Sequence, residues 1–141
     1  MSLENLIRVG GVLHFSLLLA GILLPIVLDW RGDLARLSRL SRQIVWVHGV
    51  FIALVVCAFG VGSILLAESL TAGTPLARSL CGFIAAFWLA RLAVQLFVLD
   101  ASAYLRHWFL KLGYRGLTGV FTYFVVVYGW AGFVPAMGVV P

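Results

Sequence analysis

Arg91 is the residue best placed to do chemistry. The stretch 79–101 (SLCGFIAAFWLARLAVQLFVLDA) is long and apolar enough to cross a bilayer, yet it holds an arginine near its middle. A guanidinium keeps its charge in any protein environment. Ionisable groups at membrane depth face a bundle interior or a cavity and mark functional sites. Gln95 follows one turn later, and two other apolar stretches carry His48 and Tyr123. At 1.5 Å per residue, His48 lies ~9 Å in from Arg42, Gln95 ~8 Å and Arg91 ~13 Å in from Asp100, and Tyr123 ~12 Å in from Arg115. The expected site is therefore one layer of Arg91, Gln95, His48 and Tyr123. In it a planar fork engages a carboxylate or phosphate, Gln95 and Tyr123 orient the ligand, and His48 exchanges a proton. A lipid headgroup, an isoprenoid phosphate, a quinone or a porphyrin carboxylate suits that donor set. The alternative is a clamp, in which Arg91 snorkels to Asp100 or Asp29 at the rim.

His14 is a second polar position. At 100° per residue, Gly10, His14, Leu18, Gly21 and Pro25 share one stripe, so His14 is expected to face other helices. There an interhelical hydrogen bond is the expected role. Bis-histidine haem needs two imidazoles at nearly one level. By count from the flanking charges, His14 and His48 differ by roughly 12 Å in depth. Cys57 and Cys81 have no metal-binding spacing and read as two small buried hydrophobes, with a disulfide as the alternative.

The elements that must hold these residues are membrane spans. With 63% hydrophobic and 11% charged residues and a mean hydropathy of +1.11, the chain reads as an integral membrane protein. Four spans, at about 7–28, 43–67, 79–101 and 116–134, each approach the ~20 residues needed to cross the hydrocarbon. The expected fold is all-α, one four-helix transmembrane bundle over residues 1–141. The first span, whose apolar run is longer than a signal peptide's and lacks an A-x-A site, is expected to stay in the mature protein.

Charge sets the expected orientation. Arg31, Arg36, Arg39 and Arg42 lie between spans one and two, and Arg106, Lys111 and Arg115 between three and four, while Arg8 and Arg78 are balanced by Glu4 and Glu68. The positive-inside rule then gives N-out and C-out, in a bacterial-type inner membrane. This distribution argues against nucleic acid as the partner of the +5 charge. Asp29-Trp30 marks the inner interface, and Gly32-Asp33 reads as a break and N-cap. Beyond it, Leu34, Leu37 and Leu40 against Arg36, Arg39 and Arg42 read as a short amphipathic segment on anionic headgroups. The segment 102–114, aromatic and basic, reads as a second interfacial one.

Span three carries a small-residue stripe, Gly82, Ala86, Ala90 and Ala93, with Ile84, Trp88, Arg91 and Gln95 roughly opposite. Small stripes let membrane helices approach closely. The helix is thus expected at the centre of the bundle or against another subunit. In span four, Gly116, Gly119, Tyr123 and Trp130 share a face, with Thr122 at its edge.

The pattern Leu13-His14, Ala20-Gly21, Leu24-Pro25 in a four-span chain resembles the first helix of the HemJ-type membrane protoporphyrinogen oxidases, over about 13 residues. That family has a lysine in its third span, where this chain has Arg91. The resemblance implies a haem-binding or porphyrin-handling oxidoreductase as one alternative. Another is a structural or assembly subunit with no ligand of its own, docked on a larger membrane partner or on a second copy of the chain. Haem and quinone are the cofactors to weigh, and no metal-binding cluster stands out.

Overall fold

The structure is a computed structural model that describes residues 1–98 and 108–133. The described residues are helical, without strands. Four helices are long and apolar enough to cross a membrane: α1 (Leu3–Val27), α3 (Arg39–Leu65), α5 (Pro75–Ala93) continued by a π-helical turn (Val94–Val98), and α6 (Trp108–Phe133). They define a multi-pass membrane protein. Two short helices, α2 (Trp30–Ala35) and α4 (Ala67–Thr71), sit in the connections.

Local chemistry explains the boundaries. Ser2, Ser38 and Thr74 cap α1, α3 and α5, each accepting from the backbone N–H three residues on, and Pro75 occupies the first turn of α5. Between α1 and α2 the chain turns at Asp29, which takes φ 48°. Asp tolerates this left-handed conformation better than most side chains. The break is therefore at Asp29, and Gly32 and Asp33 lie inside α2 rather than before it. Leu34 belongs to α2 and is buried, whereas Leu40 lies in the first turn of α3 and is exposed. The turn before α5 uses Gly73 at φ 70°. Residues 102–107 of the second expected interfacial segment lie outside the described residues, and 108–114 form the start of α6.

The start of α1, the end of α6 and α4 sit at one end of the bundle, here the terminal end, and the α1–α3 connection at the other, the loop end. The helices pair as α1 with α3 and α5 with α6. Each pair is closest where glycine removes a side chain. A Cβ on Gly11 would stand 2.9 Å from the Gly60 carbonyl oxygen, and one on Gly132 would stand 3.0 Å from the Gly82 nitrogen. Real Cβ atoms rarely tolerate such distances to backbone, so these positions fix the close approach.

Both crossings lie toward the terminal end, and burial follows them. Ile7, Gly10, Gly11 and His14 are buried in the first half of α1, and Val56, Gly60 and Ser63 in the second half of α3. From Arg39 to Leu54 every residue of α3 is exposed. Pair α5–α6 stays packed along its length, through Cys81, Ile84, Ala85 and Trp88 against Phe121, Phe124, Val127 and Tyr128. Within α5 it is this face that is buried, while Ala86 and Ala90 of the small stripe are exposed. In α6, likewise, Gly116, Gly119 and Trp130 are exposed. Cys57 and Cys81 are both free thiols.

Candidate functional site

The two pairs are joined by a cluster built around His14. Its imidazole is fully buried. It stacks on Phe124 at 4.1 Å between centroids and meets Trp88, Phe59 and Tyr128 edge-on. The indole N–H of Trp88 donates to Nε2 of His14 at 3.1 Å. An indole nitrogen can only donate, so Nε2 must carry the lone pair and Nδ1 the hydrogen. Nδ1 accordingly donates to the Gly10 carbonyl at 2.7 Å. Both ring nitrogens are satisfied with the ring neutral, as burial in an apolar setting requires. The lone pair that a haem iron would take is already engaged by Trp88.

A second link lies one turn away. The Ser63 and Tyr128 hydroxyls are 2.5 Å apart, both fully buried, and Gly10 leaves room for that tyrosine: a Cβ there would stand 3.0 Å from its hydroxyl. A third bond runs from the Tyr123 hydroxyl to the Leu6 carbonyl at 2.7 Å. Three successive turns of α1, at Leu6, Gly10 and His14, thus meet Tyr123, Tyr128 and Phe124, which are not in helical order along α6. Gly10 with Tyr128 and His14 with Phe124 follow the antiparallel order of the two helices, and the long Tyr123 side chain reaches out of it to Leu6.

The layer expected from depth counts is not brought together. Tyr123 reaches back to the N-terminal turns of α1. His48 sits in the exposed half of α3, ~18 Å along the helix from Gly60, where His14 packs. Arg91 and Gln95 remain neighbours on one helix but have separate surroundings. Gln95 is buried inside the α5–α6 seam, where its amide donates to Thr118 Oγ1 at 2.7 Å, while Tyr114 donates to the Gln95 carbonyl at 3.0 Å. That carbonyl belongs to the π-helical turn, a geometry that disturbs the regular ladder and recurs at functional sites.

Arg91 is exposed, with its guanidinium carbon over the Phe121 ring at 5.8 Å from the centroid. It makes no ion pair with Asp29; among the described residues the ion pair is Arg8 with Glu4 inside α1. Asp100 lies outside the described residues. Phe121 stacks on Trp88 at 5.0 Å between centroids, so Arg91 is connected through two rings to the His14 cluster. The site that the structure brings together is Arg91–Phe121–Trp88–His14, with a cation at its open end and a closed, neutral polar core at the other.

Sequence reasoning missed Phe124 and Tyr128. Their signal is the aromatic series Phe121, Phe124, Tyr128, continued by Ala131, at spacings of three and four. The glycines on the opposite face drew attention away from it. Compared with protein-family models, curated proteins and solved structures, the chain finds no match.

Proposed function

We propose that this chain is a multi-pass membrane protein that holds an anionic or carbonyl-bearing amphiphile at Arg91, on the cytoplasmic side of an N-out, C-out bundle. The supporting observation is the exposed guanidinium over Phe121, ~10 Å from the end of the π-helical turn, with no acidic partner among the described residues. A cation–π contact of this kind stabilises a cation by about 0.5–2 kcal/mol, depending on desolvation. It uses the ring face and leaves guanidinium N–H donors for an anion. Lipid, isoprenoid phosphate, quinone and porphyrin carboxylate fit this chemistry. Gln95, His48 and Tyr123 would contribute only if the loop end closes around the ligand.

The test compares Arg91→Lys with Arg91→Gln, by identifying the small molecules extracted from the detergent-purified protein. Lysine keeps the charge and loses the planar fork. Loss of the molecule in both variants, with melting preserved, supports the site. Retention by Arg91→Gln overturns it.

A second reading, an assembly subunit, is favoured by the sixteen consecutive exposed residues from Arg39 to Leu54 of α3. A larger membrane partner or a second copy of the chain would cover that half-helix. Crosslinking from Ile44 and Phe51 in native membranes decides: adducts to protein support the subunit role, and adducts to lipid alone argue against it.

A further inference from the structure

The terminal end of the α5–α6 pair carries a concavity lined by Pro75, Arg78, Ser79, Gly82, Gly132 and Phe133. Its floor exists because Gly132 lets α6 come against the α5 backbone: a Cβ on Gly132 would stand 3.0 Å from the Gly82 nitrogen and 3.2 Å from the Arg78 carbonyl oxygen. Pro75 and Phe133 supply apolar rims. The polar groups are Arg78 and the Ser79 hydroxyl. Nε of Arg78 donates to the Gly132 carbonyl at 3.1 Å, which anchors the guanidinium across the seam. Its terminal nitrogens make no hydrogen bond to the described residues, and Glu68, its expected counter-charge in the loop, makes no ion pair with it.

We infer that this concavity is a binding site for the phosphate group of a membrane phospholipid, on the opposite side of the membrane from Arg91. Three physical features converge on that ligand. Arg78 lies one turn into α5, near the end of a helix long and apolar enough to cross a membrane, where lipid headgroups would meet it. A guanidinium pinned through Nε keeps its Nη donors oriented, and their fork fits two phosphate oxygens. One turn along α5 from Ser79, Phe83 is exposed and offers apolar surface to an acyl chain. A soluble phosphate would use the fork but gain nothing from the apolar rims.

The experiment is native mass spectrometry of the full chain in detergent, titrated with phosphatidylglycerol. All samples carry Arg91→Gln, so that lipid held at Arg91 does not enter the count. The expected result is retention of one lipid, weakened about tenfold by adding Arg78→Gln, the loss associated with one charge-assisted hydrogen-bonded contact. Arg78→Lys, which preserves charge but lacks the planar fork that engages two phosphate oxygens while Nε holds the carbonyl, should also weaken retention. It serves as the readout if Arg78→Gln does not fold. Inorganic phosphate should fail to displace the lipid, and diacylglycerol, which lacks the phosphate, should not be retained. Unchanged phosphatidylglycerol binding in the folded Arg78 variants overturns the inference, as does equal retention of diacylglycerol. Displacement by inorganic phosphate would overturn the assignment to a lipid.

Discussion

Trp88 of α5 donates its indole N–H to the bare nitrogen of His14 on α1, and this bond fixes both the tautomer and the neutrality of the histidine. With the Ser63–Tyr128 and Tyr123–Leu6 bonds it is one of three hydrogen bonds that join the two helix pairs among the described residues. In a membrane, interhelical hydrogen bonds of this type average ~0.6 kcal/mol, with values up to about 1.7. Trp88→Phe should therefore lower stability by about 1–2 kcal/mol, combining that loss with the smaller ring. A double-mutant cycle with His14→Phe, followed by reversible unfolding in mixed micelles, should show coupling of about 0.5–1.7 kcal/mol. Strict additivity would mean that the bond contributes nothing to holding the pairs together.

Ser63 and Tyr128 invite a different comparison. Removing one hydroxyl leaves its buried partner unsatisfied, at a cost of about 1–3 kcal/mol. Tyr128→Phe and Ser63→Ala should each destabilise by that order, whereas the double variant should lose clearly less than the sum. Thermal unfolding of the four proteins provides the check.

Two glycines of α1 should respond with opposite sign. Gly11 faces Ile64 Cγ1 and the Gly60 carbonyl at 2.6 and 2.9 Å from an added Cβ, while Gly21 has open space around it. Gly11→Ala should cost about 1–3 kcal/mol, as overpacking does, and Gly21→Ala should stabilise by roughly 0.5–1 kcal/mol through helix propensity. Matching melting temperatures for the two variants would contradict the crossing at Gly11 and Gly60.

Orientation has its own assay. In a background with Cys57 and Cys81 replaced by alanine, a cysteine at Ser38 should resist an impermeant thiol reagent added to intact cells, and one at Thr74 should react. The reverse pattern would move Arg91 to the external leaflet and Arg78 to the cytoplasmic one.

Much of the architecture was legible because it rests on hydropathy and on one helical period. Four spans follow from the apolar runs, and the stripe Gly10, His14, Leu18 put the histidine inward, where it is found fully buried. The layer of Arg91, Gln95, His48 and Tyr123 was not legible in the same way. Counting depth along each helix gives a level but not a facing: Tyr123 turns to Leu6 of α1, and His48 sits on the exposed half of α3. The π-helical turn after Ala93 adds a second phase error. Arg91 and Gln95 are 40° apart on a regular helix, yet one is exposed and the other buried with Thr118. The small stripe of α5 does not set the packing, for a third reason: close approach depends on Gly132 of α6, where a Cβ would meet the Gly82 nitrogen and the Arg78 carbonyl, whereas a Cβ on Gly82 would meet nothing, and Ala86 and Ala90 are exposed.

The meeting of Gly11 with Gly60 also has a mechanical meaning. From Gly60 to Arg39 the helix extends ~32 Å without burying a side chain before Val56, so α3 is a lever with its fulcrum near one end. A rotation of about 10° at the fulcrum would sweep the Arg39 end through roughly 5 Å, close to one helical turn. Whatever grips that arm, whether headgroups or a neighbouring subunit, acts on the fulcrum with a long mechanical advantage, and the groups packed there are His14 and Phe15, each of which would stand 3.1 Å from a Cβ added at Gly60.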